Sequence, residues 1–548
     1  MEEEYFPALV AYKHALDEQP SLTAARLSRS LALIKLELYE SALTELQIVL
    51  DSKNLHINDK QEALYRSAQA HYGEGRYKEA LDMFQECAIL VDTFQEAQSG
   101  IQRCKKRIVE QMDGIFDWNT LFEETISCRN ELDVANFVGP IKIAPLPYRG
   151  GGRGIVATRN ITAGELLLVA RPFAATNQGR DQPNTREKTD VSALARLEVL
   201  HQCILKLSMG SDDITRGFLD LYAGNETSHS SDTISRTKEA RNNFDRDIDL
   251  ARIKAVCSLN SFGLDDNHVR PTSVQHENRT MPDFRAALYI LPSYFNHACA
   301  SNANRIFFGS LMVLRASKSI AHGAEVTISY QSNEETYQKR KQVLQQWFLE
   351  CDCSLCTQDR AAGDTRLLQR ESLIKRSKSP GLDISELFDI IQKLDTSYAA
   401  THGSFRPALA FAHRRMAREL ESMSQYPSNT ILLQRSIQHY IFALEAWEIK
   451  VIDRSVEGRN INADSLPIAK TVAPYRSDIC GATCMVIFRA FSSLHDELRA
   501  EKWLRAAIWV ESVTTGGDIH VLKLRYAELI AELDEQACSV LKKIEASP

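Results

Sequence analysis

The sequence predicts a multidomain α+β protein, built as a helical array, a small β-rich unit and a second helical array. Three observations predict it. Apolar and small residues recur at helical spacing through residues 1–112, glycine-punctuated β-like runs follow from about Val134 to Tyr330, and helical periodicity returns after Thr357. At 548 residues the chain is too long for one hydrophobic core, so about three domains are expected.

The first element repeats internally. Tyr5-x-x-Ala8 recurs as Tyr39-x-x-Ala42 and again as Tyr77-x-x-Ala80, with the polar stretch 51–60 absorbing the longer second interval. Leu31, Ala32 and Ile34 are matched by Gln69, Ala70 and Tyr72. A period near 34 with small and aromatic residues at fixed offsets resembles tetratricopeptide repeats, helix pairs that stack because none buries its apolar face alone. An ordinary helical bundle is the plainer alternative. Either way residues 1–112 read as a scaffold for protein partners.

The second element, expected over residues 131–335, carries β-like runs at Gly154–Thr158, Glu165–Val169, Arg305–Phe308, Leu311–Leu314 and Glu325–Tyr330. Gly309-Ser310 reads as a hairpin turn between two of them. A polar and helical insert is expected at about 175–256, with a helix over Val191–Leu207 and polar loops at Ala175–Asp190, Tyr222–Asp247 and Asp265–Asp283. In the third element, over residues 365–548, Asp383 and Glu386 form a capping-box pair. Ile384, Leu387, Phe388, Ile391 and Leu394 mark one apolar face, and Ile437, Tyr440, Ile441, Leu444 and Trp447 mark another.

Charge narrows the function classes. A net charge of -7 offers no electrostatic footprint for direct nucleic-acid binding. The acidic start, Met1-Glu2-Glu3-Glu4, is unlike a signal peptide, and no apolar run approaches the roughly 20 residues that span a bilayer. An intracellular protein of cytoplasm or nucleus, monomeric and away from membranes, is expected. In a reducing compartment the 12 cysteines favour metal ligation or free thiols over disulfides.

Four short constellations carry chemistry. The glycine cluster Arg149-Gly150-Gly151-Gly152-Arg153-Gly154 lets backbone approach a ligand, but a strand follows it, unlike phosphate-binding loops, which open a helix. Asn296-His297-Ala298-Cys299-Ala300-Ser301-Asn302 packs hydrogen-bonding and metal-binding side chains into seven residues, and Gly323-Ala324-Glu325-Val326-Thr327-Ile328-Ser329-Tyr330 reads as a strand. Cys351-Asp352-Cys353-Ser354-Leu355-Cys356 places three thiols in six residues, the pattern of a zinc corner. Tetrahedral zinc needs a fourth ligand from a distant residue.

In this order, the four constellations resemble the SET domain, nearest to the SET-and-MYND (SMYD) type and its tetratricopeptide-containing fungal relatives. The resemblance covers about residues 131–360. It implies a β-rich SET fold with a pseudoknot, a post-SET zinc loop at 336–360, and protein-lysine N-methyltransferase activity with S-adenosylmethionine on a histone or non-histone protein. It implies cofactor contacts at Gly151, Gly152, Arg153, Gly154, Asn260, Asn296, His297 and Tyr330, and adenine stacking at Phe348 or Leu349. It further implies one structural zinc ion on Cys299, Cys351, Cys353 and Cys356, with Tyr330 as catalytic tyrosine and Tyr289 lining a lysine channel. The chain departs from the family pattern at Ala298, Ser301, Ala324 and Leu349. From Ala175 to Cys257 the only cysteines are Cys203 and Cys257, so a paired-zinc MYND module is not expected. A catalytically weak SET scaffold working through its helical arrays is the alternative function.

Overall fold

The computed structural model describes residues 2–90, 95–127, 132–149, 152–176, 188–210, 212–224, 249–264, 285–331, 336–347, 350–398, 403–424, 429–458, 465–474 and 476–546. The first array contains α1 (Glu2–Glu18), α2 (Thr23–Lys35), α3 (Tyr39–Leu50), α4 (Ile57–Gly73), α5 (Tyr77–Leu90) and α6 (Gln95–Asp113), each packed on its chain neighbour. The repeated Tyr-x-x-Ala motifs open α3 and α5, where Ala42 and Ala80 are wholly buried. Small residues there let successive helices close on one another. A further helix, α7 (Trp118–Ile126), leads into the β-rich unit and is capped by Asp117, whose carboxylate accepts from Thr120 N–H.

The β-rich unit has three sheets among the described residues. Its elements in chain order are β1 (Phe137–Val138), β2 (Ile141–Leu146), β3 (Gly152–Ala157), β4 (Leu166–Ala170), β5 (Ala174–Ala175), α8 (Lys188–Met209), α9 (Asp212–Leu219), α10 (Leu250–Asn260), β6 (Ser261–Gly263), β7 (Ala286–Leu288), β8 (Asn296–His297), β9 (Ala303–Phe308), β10 (Leu311–Ala316) and β11 (Glu325–Ile328). The sheet orders are β1-β4-β10-β9, β2-β3-β11-β8 and β5-β7-β6. Every pairing is antiparallel except β8 with β11, where Asn296 lies opposite Thr327 and His297 opposite Ile328. The hairpin expected at Gly309-Ser310 joins β9 to β10, with Gly309 at φ 58°. The core behind the sheets is built from Ile155, Leu167, Val199, Phe295, Phe307 and Ile328 among others. The last expected strand is shorter than the sequence suggests: it ends at Ile328, and Tyr330 lies beyond it. The polar stretches 177–187, 225–248 and 265–284 lie outside the described residues.

Helices return with α11 (Tyr337–Leu344), α12 (Ser354–Ala362), α13 (Asp364–Ser377), α14 (Ile384–Ser397), α15 (Pro407–Ser424), α16 (Thr430–Ala446), α17 (Ser477–Ser493) and α18 (Glu497–Thr514), followed by Ile519–Arg525, Ala527–Ala531 and Glu535–Glu545. The capping box at Asp383 is formed in full. Its apolar face differs by one residue from the expected one: Ile390 is buried, whereas Phe388 is 49% exposed. On a 3.6-residue period Phe388 falls at the margin of the stripe, and the core beneath Leu387, Ile391 and Leu394 is filled from 390 instead. The α16 face from Ile437 to Trp447 is buried as expected. No helix among the described residues is long and apolar enough to cross a membrane.

Candidate functional site

The site forms where β3, β8 and the end of β11 converge. Gly154 permits this convergence. A Cβ there would sit 2.5 Å from Asn296 Nδ2 and 2.4 Å from Leu146 Cδ1. With glycine in place, Asn296 Nδ2 donates to Arg153 O at 3.1 Å and to Glu325 Oε1 at 2.9 Å. Glu325 Oε2 in turn accepts from Arg149 Nη2 (3.1 Å) and the Tyr148 hydroxyl (3.1 Å). One carboxylate therefore ties the glycine-rich stretch, β8 and β11 together. Asn302 completes the crossing, donating to Glu325 O and accepting from Thr327 N–H, each at 2.8 Å.

His297 is buried and both of its ring nitrogens are engaged. Nδ1 accepts from Tyr330 N–H at 3.0 Å, which places the ring proton on Nε2, 3.2 Å from Cys299 Sγ. The Tyr330 hydroxyl donates to Phe295 O at 2.7 Å, so its oxygen lone pairs remain available on the other side. Burial pushes the phenol well above its ordinary pKa and keeps it protonated. The Tyr330 ring lies 5.2 Å from that of His297 and 5.3 Å from that of Trp347, whose indole N–H donates to Leu259 O at 3.1 Å, beside Asn260. Residues 152–154, 260, 296–297 and 330 are thus one connected neighbourhood. Gly151, Phe348 and Leu349 lie outside the described residues.

Three expected site residues have further engagements. Arg153 turns its side chain away to Asp220 and lies 5.2 Å over the Tyr294 ring, leaving its backbone at the convergence. Asn260 is buried, and its amide donates to Tyr222 O and Val256 O, both at 2.8 Å. Tyr289 is fully buried between Phe262 (5.7 Å) and Phe307 (6.4 Å), with its hydroxyl held by Ser310 O, so it offers its ring rather than a free hydroxyl.

Cys299, Cys351, Cys353 and Cys356 bring their sulfurs within 4.8 Å of one another, an arrangement that could hold one metal ion. The Cys299–Cys356 pair is 3.5 Å apart. A tetrahedral zinc with Zn–S near 2.3 Å requires sulfur–sulfur edges of about 3.8 Å, so the donor set fits zinc. Hydrogen bonds from Cys299, Cys353 and Cys356 draw the Cys351 thiol far below its ordinary range. Arg340, held by Asp359 at 2.7 Å, brings a guanidinium to 3.8 Å from Cys356 Sγ, a charge that offsets thiolates. Cys257 stands beside Cys203 instead of joining the cluster.

Sequence reasoning missed Trp347 and Glu325. Trp347 closes a single turn of 3-10 helix (Gln345–Trp347) one residue before the expected aromatic position, and its tryptophan identity was the available signal. Glu325 stood in the strand motif without a role of its own, because a carboxylate opening a strand is ordinarily solvated.

Comparison with known proteins bears on this site. Residues 152–331 match the SET domain family model. Over 345 residues the chain is 24% identical to a protein named methyltransferase from Gibberella zeae, covering 60% of this chain and 45% of that one. It is 38% identical over 109 residues to histone-lysine N-methyltransferase SMYD3 of Mus musculus, covering 18% of this chain and 25% of that protein. With histone-lysine N-methyltransferase ASHR1 of Arabidopsis thaliana it shares 29% identity over 101 residues, 18% of each chain. The chain spans less than half the length of each of these relatives. Residues 152–331 are therefore a SET domain, in a chain similar to histone-lysine N-methyltransferase SMYD3 and to a fungal protein named methyltransferase.

Proposed function

We propose that the protein is a protein-lysine N-methyltransferase that takes its methyl group from S-adenosylmethionine. The observation that carries this reading is the unbroken set of contacts from Arg153 through Asn296 and His297 to Tyr330, inside the stretch that matches the SET domain. The residues suit such a donor: exposed backbone at Gly152 and Arg153, an aromatic plane at Trp347, and a protonated phenol whose lone pairs face away from Phe295.

S-adenosylmethionine supplies an electrophilic methyl on a sulfonium. The chain's own part is to hold that group and an amine in line. Gly152, Arg153 and Gly154 offer backbone groups, Asn296 and His297 hold the adjoining strand, and Trp347 supplies a stacking face in the role expected of Phe348 or Leu349. The Tyr330 oxygen, whose hydroxyl is polarised by Phe295 O, would stabilise positive charge that accumulates on the transferred methyl. In this reading the Phe262 ring, backed by the buried Tyr289 ring, walls a dry channel, which disfavours a protonated lysine and leaves its nitrogen lone pair free to attack. Alignment supplies much of the rest. The parallel β8–β11 pairing, crossed by the Asn302 hydrogen bonds, supports the pseudoknot of the family.

In this reading residues 1–112 form tetratricopeptide-like repeats, 131–335 the SET unit, 336–360 a zinc loop and 365–548 a helical C-terminal domain. One zinc ion on Cys299, Cys351, Cys353 and Cys356 is structural, since thiolates fill every position. The test is radiolabelled methyl transfer to a proteome-wide peptide array. Wild type should label lysine peptides, and Tyr330→Phe should lose about 10²–10³-fold in kcat with cofactor affinity nearly unchanged. A substituted protein as active as wild type would remove Tyr330 from the mechanism.

A further inference from the structure

The first array meets the SET unit across a cleft of about 450 Å³ whose walls include Glu37, Tyr39, Tyr72, Arg171, Phe173 and Lys206. One tie across it involves a residue with unusual backbone. Glu37 sits two residues before Tyr39, as Gly75 sits two before Tyr77, and the two turns share one hydrogen-bond pattern: Glu37 N–H to Ile34 O with Leu38 N–H to Leu33 O, and Gly75 N–H to Tyr72 O with Arg76 N–H to His71 O. Both residues are left-handed, Gly75 at φ 80° and Glu37 at φ 57°. Glycine adopts that conformation freely, whereas a side chain there is strained. Glycine would serve this turn, yet the chain carries a carboxylate.

The carboxylate reaches into the SET unit. Glu37 Oε2 lies 2.6 Å from Lys206 Nζ on α8, and the same ammonium donates to Phe173 O at 2.9 Å. Phe173 N–H donates to Leu288 O at 2.7 Å, and β5 continues the pairing with Ala174 opposite Leu288. Tyr289 is the next residue. On the other side of Phe173, the Arg171 guanidinium enters the array beside Tyr77, Tyr39 and Glu37 and reaches Gly73 O at 3.4 Å. The segment 171–175 is thus held from both sides by the first inter-repeat turns.

We propose that Glu37 and Lys206 are positioning residues, through which the first helical array holds β5 and β7, and so the buried Tyr289 ring behind the proposed substrate channel. This rests on the methyltransferase reading above. It makes the array a fixed part of the catalytic unit, in addition to any partner it binds.

The test uses the full-length protein with Glu37→Gly, Lys206→Met and the double variant. Glu37→Gly suits the turn and should melt no earlier than wild type, while removing the tie. Amide exchange at 171–175 and 286–289 should quicken about tenfold in each single variant, and kcat should fall about tenfold with cofactor KM unchanged. The double variant should be no worse than the poorer single, since both remove one interaction. Unchanged exchange in those segments overturns the coupling, whether or not the protein methylates. Quickened exchange with wild-type kcat overturns the positioning role. A wild-type protein that transfers no methyl group fails the methyltransferase reading instead, and exchange alone then decides the coupling.

Discussion

At the residue scale, His297 links two chemistries. Its Nδ1 orients the backbone of Tyr330, and its Nε2–H faces Cys299 Sγ. Groups that hydrogen-bond metal ligands commonly tune affinity by 10–100-fold. His297→Ala is therefore expected to weaken zinc retention by about that factor, read by competition with a chromophoric chelator, and to lower methyl transfer in the same protein. Cys299→Ala should go further, abolishing metal stoichiometry and cofactor binding together. One bound zinc per chain after that change would mean that another residue completes the shell. The identities at these positions were legible in the sequence because metal and proton chemistry restricts residue type so narrowly. Trp347 was not, since a stacking surface is defined by what lies opposite it.

At the element scale, the crossing of β3, β8 and β11 depends on a missing side chain. Gly154→Ala places a methyl against Asn296 Nδ2 and the Leu146 side chain. Overpacking of this kind costs about 1–3 kcal/mol, so the substituted protein should lose that much stability by urea denaturation. Cofactor affinity should fall with it, because β8 must shift; a variant with wild-type affinity and stability would show that the strands have slack. Elements with strong local signals were readable in advance. The Asp383 capping box and the Gly309 turn each involve residues within a few positions of one another. The exposure of Phe388 and the early end of β11 were not readable, because both follow from what packs against the element.

At the scale of the whole molecule, the first array and the SET unit are joined by ion pairs whose strength depends on pH. The Lys206 ammonium holds the Glu37 carboxyl below its ordinary range. A carboxylate with a depressed folded pKa contributes stability that is present in full above its unfolded pKa and lost as pH falls through the folded one. Glu37→Gln should therefore destabilise the protein at about pH 7, and the difference from wild type should be smaller at about pH 3. Equal differences at both values, measured by chemical denaturation, would show that the charge of Glu37 carries none of the difference. At this scale the four-cysteine cluster also joins distant segments, since Cys299 from the sheet region meets Cys351, Cys353 and Cys356 from the start of the C-terminal helices.

By itself the sequence determined the order of helical, β-rich and helical regions, the cysteine pattern and the Asn-His and tyrosine motifs. These are local matters of periodicity, ligand chemistry and spacing along the chain. Only the tertiary structure decided that Glu325 joins three segments, that Trp347 faces Tyr330, and that Glu37 of the first array meets Lys206 on α8. Those contacts pair residues from 17 to 177 positions apart, and no spacing rule operates at that range, because chain folding alone brings such groups within reach.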